Sequence, residues 1–201
     1  MKTSSTDPAT EAKPEVGPAE VPGQAEVPDV SHRDFLSFSD VAIKVTQRRL
    51  PSVDPGAMEM VLLLHRVTNA LVYDLESTVH RPAGWSWGAF RLLFTVWVSG
   101  SLESKKAAKL AGMSRAAVSS LTNTLEASGL MARTPDPTDR RGVLLKLTPA
   151  GKQSFEKAFL HHNAREREWA SPFTPDELQT FIYLLEKLNT AGQQAWVSHR
   201  D

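Results

Sequence analysis

The sequence predicts a mainly α-helical fold with one small β-hairpin, and the segment between Ser101 and Gly151 carries the two observations behind this prediction. Two short helical patterns follow each other across Gly112, a residue that forms a tight turn between helices without a steric penalty. Two runs of alternating apolar residues then flank the polar stretch from Pro135 to Gly142, which is typical of a hairpin. Helix, turn, helix and hairpin in this order indicate a winged helix-turn-helix, a module that reads DNA.

The composition and apolar spacing of the rest of the chain predict further segments before and after this module. Residues 1 to 30 carry five prolines, six acids, two lysines and almost no large apolar side chain, so we expect a disordered acidic tail. One long helix should run from Pro55 to about Val79, with an apolar face wide enough for its own domain and another subunit. The predicted segments are an additional N-terminal helix over 31–50, a helical dimerisation region over 54–99 and 149–192, and the winged helix-turn-helix over 100–148.

The positive charge of the chain is concentrated in one segment. Its formal net charge is zero, yet residues 103 to 152 hold nine Lys or Arg against four acids. That excess lies on the predicted reading module, where it suits contact with phosphates of double-stranded DNA. The chain has no cysteine, which excludes disulfides, thiolate metal sites and oxidation sensing through a thiol.

The second helix of the module has the composition of a DNA-recognition helix. Ser114 is a good N-cap, and Val118, Leu121 and Leu125 form a buried stripe. The opposite side carries small or hydrogen-bonding side chains, which let the backbone approach base edges, whereas an ordinary surface helix is richer in Glu and Lys. The predicted DNA-contacting residues of this helix are Ser114, Arg115, Ala116, Ser119, Ser120 and Asn123.

The hairpin carries the second predicted DNA contact. Arg140 and Arg141 lie at its tip, and the neighbouring Asp139 can orient one of them through a charge-assisted hydrogen bond. An arginine fixed in this way suits a narrow minor groove. The alternative is a solvated turn, which is what most exposed charge pairs are.

The chain resembles the multiple-antibiotic-resistance regulator (MarR) family of bacterial transcription factors from about Pro55 to Leu188. The resemblance is strongest over three stretches, of which the last is the most specific. These are Trp85-Ser86 through Leu93, Ala107 to Leu130, and Asp139-Arg140-Arg141 through Leu147-Thr148-Pro149-Ala150-Gly151.

The resemblance implies a homodimer whose N- and C-terminal helices interlock, with one winged module on each half of a pseudo-palindromic operator. It also implies a regulator, most often a repressor, which a small aromatic, phenolic or carboxylate ligand releases from DNA. The absence of cysteine places the chain outside the thiol-oxidised branch of the family. A constitutive dimer that binds DNA without sensing a ligand is the alternative, and a protein-interaction scaffold that has lost DNA binding is a third possibility.

The family's ligands generally lie in the crevice between the dimerisation helices and the reading module. An arginine there can hold a carboxylate in a bidentate fork while tryptophans enclose an aromatic ring. The alternative is that the aromatic residues belong to the core and the arginines to the surface. The residues expected to line this crevice are His65, Arg66, Asn69, Trp85, Trp87, Arg91 and Phe94.

Other function classes have little support. We find no phosphate-binding loop, nucleophile elbow or HExxH motif, so we expect no enzyme, no catalytic residue and no cofactor. His162 and Glu166 are one helical turn apart beside His161, but two ligands on a helix make a poor zinc site, so we expect no metal. No apolar run is long enough to span a bilayer, so we expect no membrane partner and a cytoplasmic location.

Overall fold

A computed structural model of the chain describes residues 35–137, 139, 142–194 and 197. The acidic tail over 1–30 and the wing arginines Arg140 and Arg141 lie outside these residues. Two compact units divide the chain, residues 1–63 and 64–201. The elements in chain order are α1 (Phe35–Arg49), α2 (Pro55–Leu75), a π-helical turn (Glu76–His80), α3 (Trp87–Ser99), β1 (Leu102–Glu103), α4 (Ser104–Ala111), α5 (Arg115–Ala127), β2 (Met131–Pro135), β3 (Val143–Leu147), α6 (Pro149–Ala170) and α7 (Pro175–Ala191).

The first unit contains α1 and the start of α2. Helix α1 ends just before Pro51, whose ring cannot continue a helix. The backbone N–H of Leu50 closes its last turn on the carbonyl of Thr46 at 2.7 Å. Asp54 then caps α2, because its Oδ1 accepts a hydrogen bond from the N–H of Ala57 at 3.0 Å. The additional N-terminal helix predicted from the sequence is therefore present.

The core of the second unit surrounds α3. Leu92, Leu93 and Val96 of this helix are fully buried, and so are Val118 of α5 and Phe155 of α6. Helix α3 therefore joins the helix-turn-helix to α6. The mainly α-helical winged fold predicted from the sequence is confirmed.

The wing belongs to a three-stranded antiparallel sheet with strand order β1, β3, β2. Leu145 of the central strand faces Arg133 of β2 and Leu102 of β1. The prediction of a two-stranded hairpin was therefore incomplete. A strand of two residues carries too little alternation to be recognised in a sequence.

Local capping fixes the ends of the helices as the sequence predicts. Gly112 takes a left-handed conformation (φ 60°) between α4 and α5. Ser114 then accepts a hydrogen bond from the N–H of Ala117 at 3.2 Å. A capping box formed by Thr174 and Glu177 begins α7.

The long helix ends close to Val79, as predicted, but its last turn is π-helical, which the sequence did not predict. Helix α2 ends at Leu75, and the π-helical turn from Glu76 to His80 follows it. This turn buries His80 completely. The spacing of apolar residues alone does not distinguish an α-helical turn from a π-helical turn. A π-helical turn closes its hydrogen bond over five residues, one more than an α-helical turn.

An ion pair holds the end of α2 against α6. Arg165 donates to both carboxylate oxygens of Asp74, at 2.7 and 2.8 Å, and the Trp169 indole donates to the same group at 2.7 Å. The Arg165 and Trp169 hydrogen bonds hold the pKa of Asp74 below its usual range. This bidentate contact lies two residues before the π-helical turn begins.

Candidate nucleic-acid interface and ligand cavity

Helix α5 has one buried face and one exposed face. Val118, Thr122 and Leu125 are buried in the unit. The residues predicted to contact DNA all lie exposed, at the N-cap and along the opposite side: Ser114, Arg115, Ala116, Ser119, Ser120 and Asn123. The structure therefore brings the predicted recognition residues of α5 together on one accessible surface.

A hydrogen-bonded network connects this surface to the wing. Glu126 accepts from the backbone N–H of Arg133 at 2.9 Å and forms an ion pair with its guanidinium. The same guanidinium donates through Nη2 to Oδ1 of Asn123 at 2.9 Å. Sequence analysis missed Glu126 and Arg133, which are seven residues apart across a turn and carry no pattern that pairs them.

The described part of the wing tip is closed by backbone hydrogen bonds. The N–H of Asp136 donates to the carbonyl of Gly142, and the N–H of Gly142 donates to the carbonyl of Asp139, both at 2.9 Å. Asp139 is exposed beside this turn. The orienting role predicted for Asp139 concerns Arg140 and Arg141, which lie outside the described residues.

A cavity of about 620 Å³ lies between the helix-turn-helix and the C-terminal helices. Helix α3 forms one wall, the C-terminal end of α4 the second, α6 the third and the end of α7 the rim. The volume is in the range of small-molecule sites. Its lining residues are Trp87, Phe90, Arg91, Phe94, Thr95, Lys109, Leu110, Ala111, Gly112, Phe159, His162, Glu166, Asn189 and Gln193.

Aromatic rings dominate the inner wall of the cavity. The rings of Phe94 and Phe159 are stacked with centroids 5.7 Å apart, and those of Trp87 and Phe90 with centroids 5.9 Å apart. The imidazole of His162 stacks on Phe90 at 4.4 Å. Such a wall offers flat apolar surface to a planar ring.

Two cationic side chains line the cavity beside the helix-turn-helix. Arg91 donates through Nη2 to the carbonyl of Ala111 and, at 3.4 Å, to that of Gly112. It therefore caps the C-terminal end of α4, where carbonyl groups concentrate partial negative charge. Lys109 projects from the last turn of the same helix. The cavity therefore combines an aromatic wall with positive charge at the turn that precedes α5.

A chain of hydrogen bonds runs from the core to the cavity. His80 Nε2 lies 3.0 Å from Nδ1 of His162, and His162 Nε2 lies 3.1 Å from Oε1 of Glu166. Because an ionised carboxylate only accepts, His162 donates to Glu166 and accepts from His80. The remaining Nδ1 of His80 is then a buried acceptor, and no described group donates to it.

This arrangement favours the neutral form of both histidines. Burial, followed by repulsion from His162, lowers the pKa of His80 to about 4. Burial also lowers the pKa of His162, although the contact with Glu166 opposes that shift. The sequence showed His162 and Glu166 one turn apart, but nothing in it indicated that His80 joins them.

The residues predicted to line the crevice separate into three groups. Trp87, Arg91 and Phe94 line the cavity together. Trp85 instead packs in the core, where its ring stacks on Phe155 at 6.4 Å. The other three predicted residues are exposed on α2 and do not line this cavity in the single chain: His65, Arg66 and Asn69.

Two further properties concern the described part of the chain. Nowhere in it do three or more His, Asp or Glu side chains cluster in a way that could hold a metal ion. None of its helices combines the length and apolar character needed to cross a membrane.

Comparison with known proteins agrees with the fold. The sequence profile of the MarR family matches residues 85–143, which contain α3, the helix-turn-helix and the first wing strand, β2. The HTH-type transcriptional regulator YwaE of Bacillus subtilis is 32% identical over 149 residues, which cover 74% of this chain and 87% of YwaE. The multiple antibiotic resistance protein MarR of Salmonella typhimurium is 30% identical over 102 residues, 49% of this chain and 69% of that protein.

A solved structure adds to this similarity. BpsR of Bordetella bronchiseptica superposes with a TM-score of 0.59 at 25% identity, covering 65% of this chain and 98% of BpsR. That structure concerns the regulation of BpsR DNA binding by 6-hydroxynicotinic acid. The fold and the exposed helix α5 define a winged helix-turn-helix DNA-binding protein. This chain belongs to the MarR family of transcriptional regulators.

Proposed function

We propose that the protein is a homodimeric repressor, released from a pseudo-palindromic operator when a small aromatic carboxylate or phenol enters the cavity beside α3. The observation that carries this proposal is the position of Arg91, which lines the cavity and also binds the carbonyls that end α4. A ligand in the cavity therefore contacts the group that fixes the turn before α5. The regulation of BpsR by an aromatic acid supports the same ligand class.

Competition for Arg91 is the proposed mechanism. A ligand carboxylate is a stronger hydrogen-bond acceptor for a guanidinium than a backbone carbonyl is. When its ring stacks on Phe94 and Trp87, its carboxylate draws Arg91 and Lys109 towards the cavity. The turn at Gly112 loses a contact, and α5 shifts relative to the DNA. Ligand and operator then bind with opposing preferences for the position of α5.

The proposed DNA contacts are those predicted from the sequence. The exposed face of α5 enters the major groove, and Arg140 and Arg141 of the wing reach the adjacent minor groove. In a symmetric dimer, two recognition helices contact half-sites one helical turn apart. Binding to chromosomal DNA places the protein in the cytoplasm.

The exposed apolar helices support a homodimer. Leu64 and Val67 of α2 are exposed, and none of the residues of α7 is buried in the single chain. Contiguous exposed apolar surface of this kind marks an interaction site. A second copy of the chain offers the same helices for packing. In the dimer His65, Arg66 and Asn69 of α2 remain candidates for ligand contact across the subunits.

Titration of the purified protein with benzoic, salicylic and hydroxynicotinic acids tests the sensor. We expect quenching of tryptophan fluorescence, because Trp87 lines the cavity, and release of an operator duplex selected from a random library. Arg91→Ala should weaken acid binding about tenfold, equivalent to roughly 1.4 kcal/mol. Arg66→Ala tests the alternative carboxylate partner on α2. Arg167→Ala, at an exposed position of α6 outside the cavity, is the matched control and should bind the acids as the wild type does.

The outcomes separate the ligand-responsive repressor from the constitutive DNA-binding dimer. Operator binding that no acid alters would exclude the sensor and favour the constitutive dimer. Weaker acid binding by Arg66→Ala but not by Arg91→Ala would move the ligand from this cavity to α2.

A further inference from the structure

The hydrogen bond between Arg133 and Asn123 fixes the orientation of an amide on the recognition surface. A guanidinium has donors but no acceptor, so the amide atom at 2.9 Å from Arg133 Nη2 is the oxygen Oδ1. The oxygen therefore points towards the wing strand. No described residue binds the amino group Nδ2 of Asn123, and the residue is exposed.

Arg133 is itself held in place from two directions. Its backbone N–H donates to Oε1 of Glu126, and its guanidinium pairs with the other oxygen of the same carboxylate. Because Glu126 lies one turn after Asn123 on α5, both partners of Arg133 belong to the recognition helix. The side chains of Arg133 and Glu126 are only 35% and 29% exposed. Arg133 thus bridges α5 to the wing strand.

The orientation of the amide determines which bases it can read. Bidentate recognition of adenine needs both amide atoms, with Oδ1 accepting from the adenine N6 amino group and Nδ2 donating to N7. Arg133 occupies one of the two acceptor sites of the amide oxygen and holds this oxygen towards the wing strand, so the amino group is the less constrained of the two amide atoms. An amino donor suits base edges that offer acceptors, above all guanine with O6 and N7.

We infer that Arg133, held by Glu126, is a positioning residue that makes Asn123 a hydrogen-bond donor to guanine instead of a bidentate reader of adenine. This inference rests on the proposed operator binding. Arg133 acts through Asn123 and needs no base contact of its own. The base preference at one position of each half-site is therefore set by a residue of the wing strand.

The test compares base preferences of four full-length proteins: wild type, Asn123→Ala, Arg133→Met and Arg133→Lys. Each selects duplexes from a random library, and affinities are then measured on operators with single base changes. The position read by Asn123 is the one whose preference is lost in Asn123→Ala. Arg133→Met keeps the aliphatic stem and removes the donors, whereas Arg133→Lys keeps the charge without the planar fork.

At that position we expect the wild type to prefer guanine and both Arg133 variants to shift towards adenine, with the adenine-to-guanine ratio rising about tenfold. Replacing guanine by 7-deazaguanine should weaken wild-type binding and leave binding by Asn123→Ala unchanged. Arg133→Lys should retain the wild-type salt dependence of binding, because it preserves the charge.

Several results would overturn the inference. If Arg133→Met weakens binding to all sequences alike and leaves the base preference unchanged, Arg133 is a phosphate contact. A wild-type preference for adenine at the Asn123 position would show that the amide reads both adenine atoms in spite of Arg133. Failure of the wild type to select any sequence would instead overturn the proposed operator binding, and the inference with it.

Discussion

Gly151 lies where the first turn of α6 passes the carbonyl group of Leu130. A Cβ atom at this position would be 1.8 Å from that oxygen, far inside van der Waals contact. Thr148 stabilises the same contact between the two backbone segments. Its Oγ1 accepts from the N–H of Gly151 at 2.9 Å and donates to the carbonyl of Gly129 at 2.7 Å. The turn that follows α5 is therefore packed directly on the start of α6.

Replacing Gly151 by alanine should destabilise the protein by about 3 kcal/mol, because neither backbone segment can move away without breaking these hydrogen bonds. Gly56→Ala is the matched control, since Gly56 also lies in a first helical turn. Its added Cβ would be 3.5 Å from Asp54 Oδ1, which is ordinary van der Waals contact. The control should be neutral or stabilising by up to about 1 kcal/mol. Urea unfolding at one protein concentration measures both, and equal stabilities would contradict the steric argument.

Among the elements, the π-helical turn has the clearest energetic consequence. It places His80 between the ring of Phe90, at 4.1 Å, and the imidazole of His162, at 5.2 Å. His80 is neutral in the folded protein, because its charged form would carry a second proton, on Nδ1, for which there is no described acceptor. The unfolded chain has no such constraint, so its histidines titrate near pH 6.5.

The protein should therefore lose stability in mild acid. Above pH 6.5 His80 is neutral in both states; between about 6.5 and 4 the unfolded state binds a proton that the folded state does not. The unfolding free energy should fall by about 1.4 kcal/mol per pH unit from His80 alone. His80→Gln, which can still donate to His162, should lose less stability between pH 7.5 and 5. An equal loss in both proteins, measured by urea unfolding, would exclude His80 as the cause.

The elements that the sequence predicted well are those fixed by local chemistry. The cap at Ser114 and the turn at Gly112 each depend on a few neighbouring residues, and the structure confirms them. The contact between His80 and His162 joins residues 82 positions apart, and periodicity gives no signal for it. The same reason applies to the cavity beside α3, where Arg91 and Phe94 were predicted from the sequence but Lys109 and Phe159 were not.

At the scale of the whole molecule, α7 has too little contact with the rest of the chain to explain its apolar residues. Phe181 and Ile182 are each 40% exposed, and Leu185 is 38% exposed. They recur at helical spacing along one side of the helix. Burying the remaining exposed part of each such side chain against a second copy stabilises the assembly by roughly 1 kcal/mol.

A charge introduced into this side of α7 should therefore separate the subunits of the proposed homodimer. We expect Leu185→Glu to elute with half the wild-type mass at micromolar concentration in light scattering, because an unpaired carboxylate would be buried in the interface. Gln179→Glu introduces the same charge at an exposed polar position of α7 and should remain dimeric. The monomeric variant should also bind a full operator no better than a single half-site, since the two recognition helices are no longer linked. If Leu185→Glu retains the dimer mass while its thermal unfolding is unchanged, the interface does not include this side of α7.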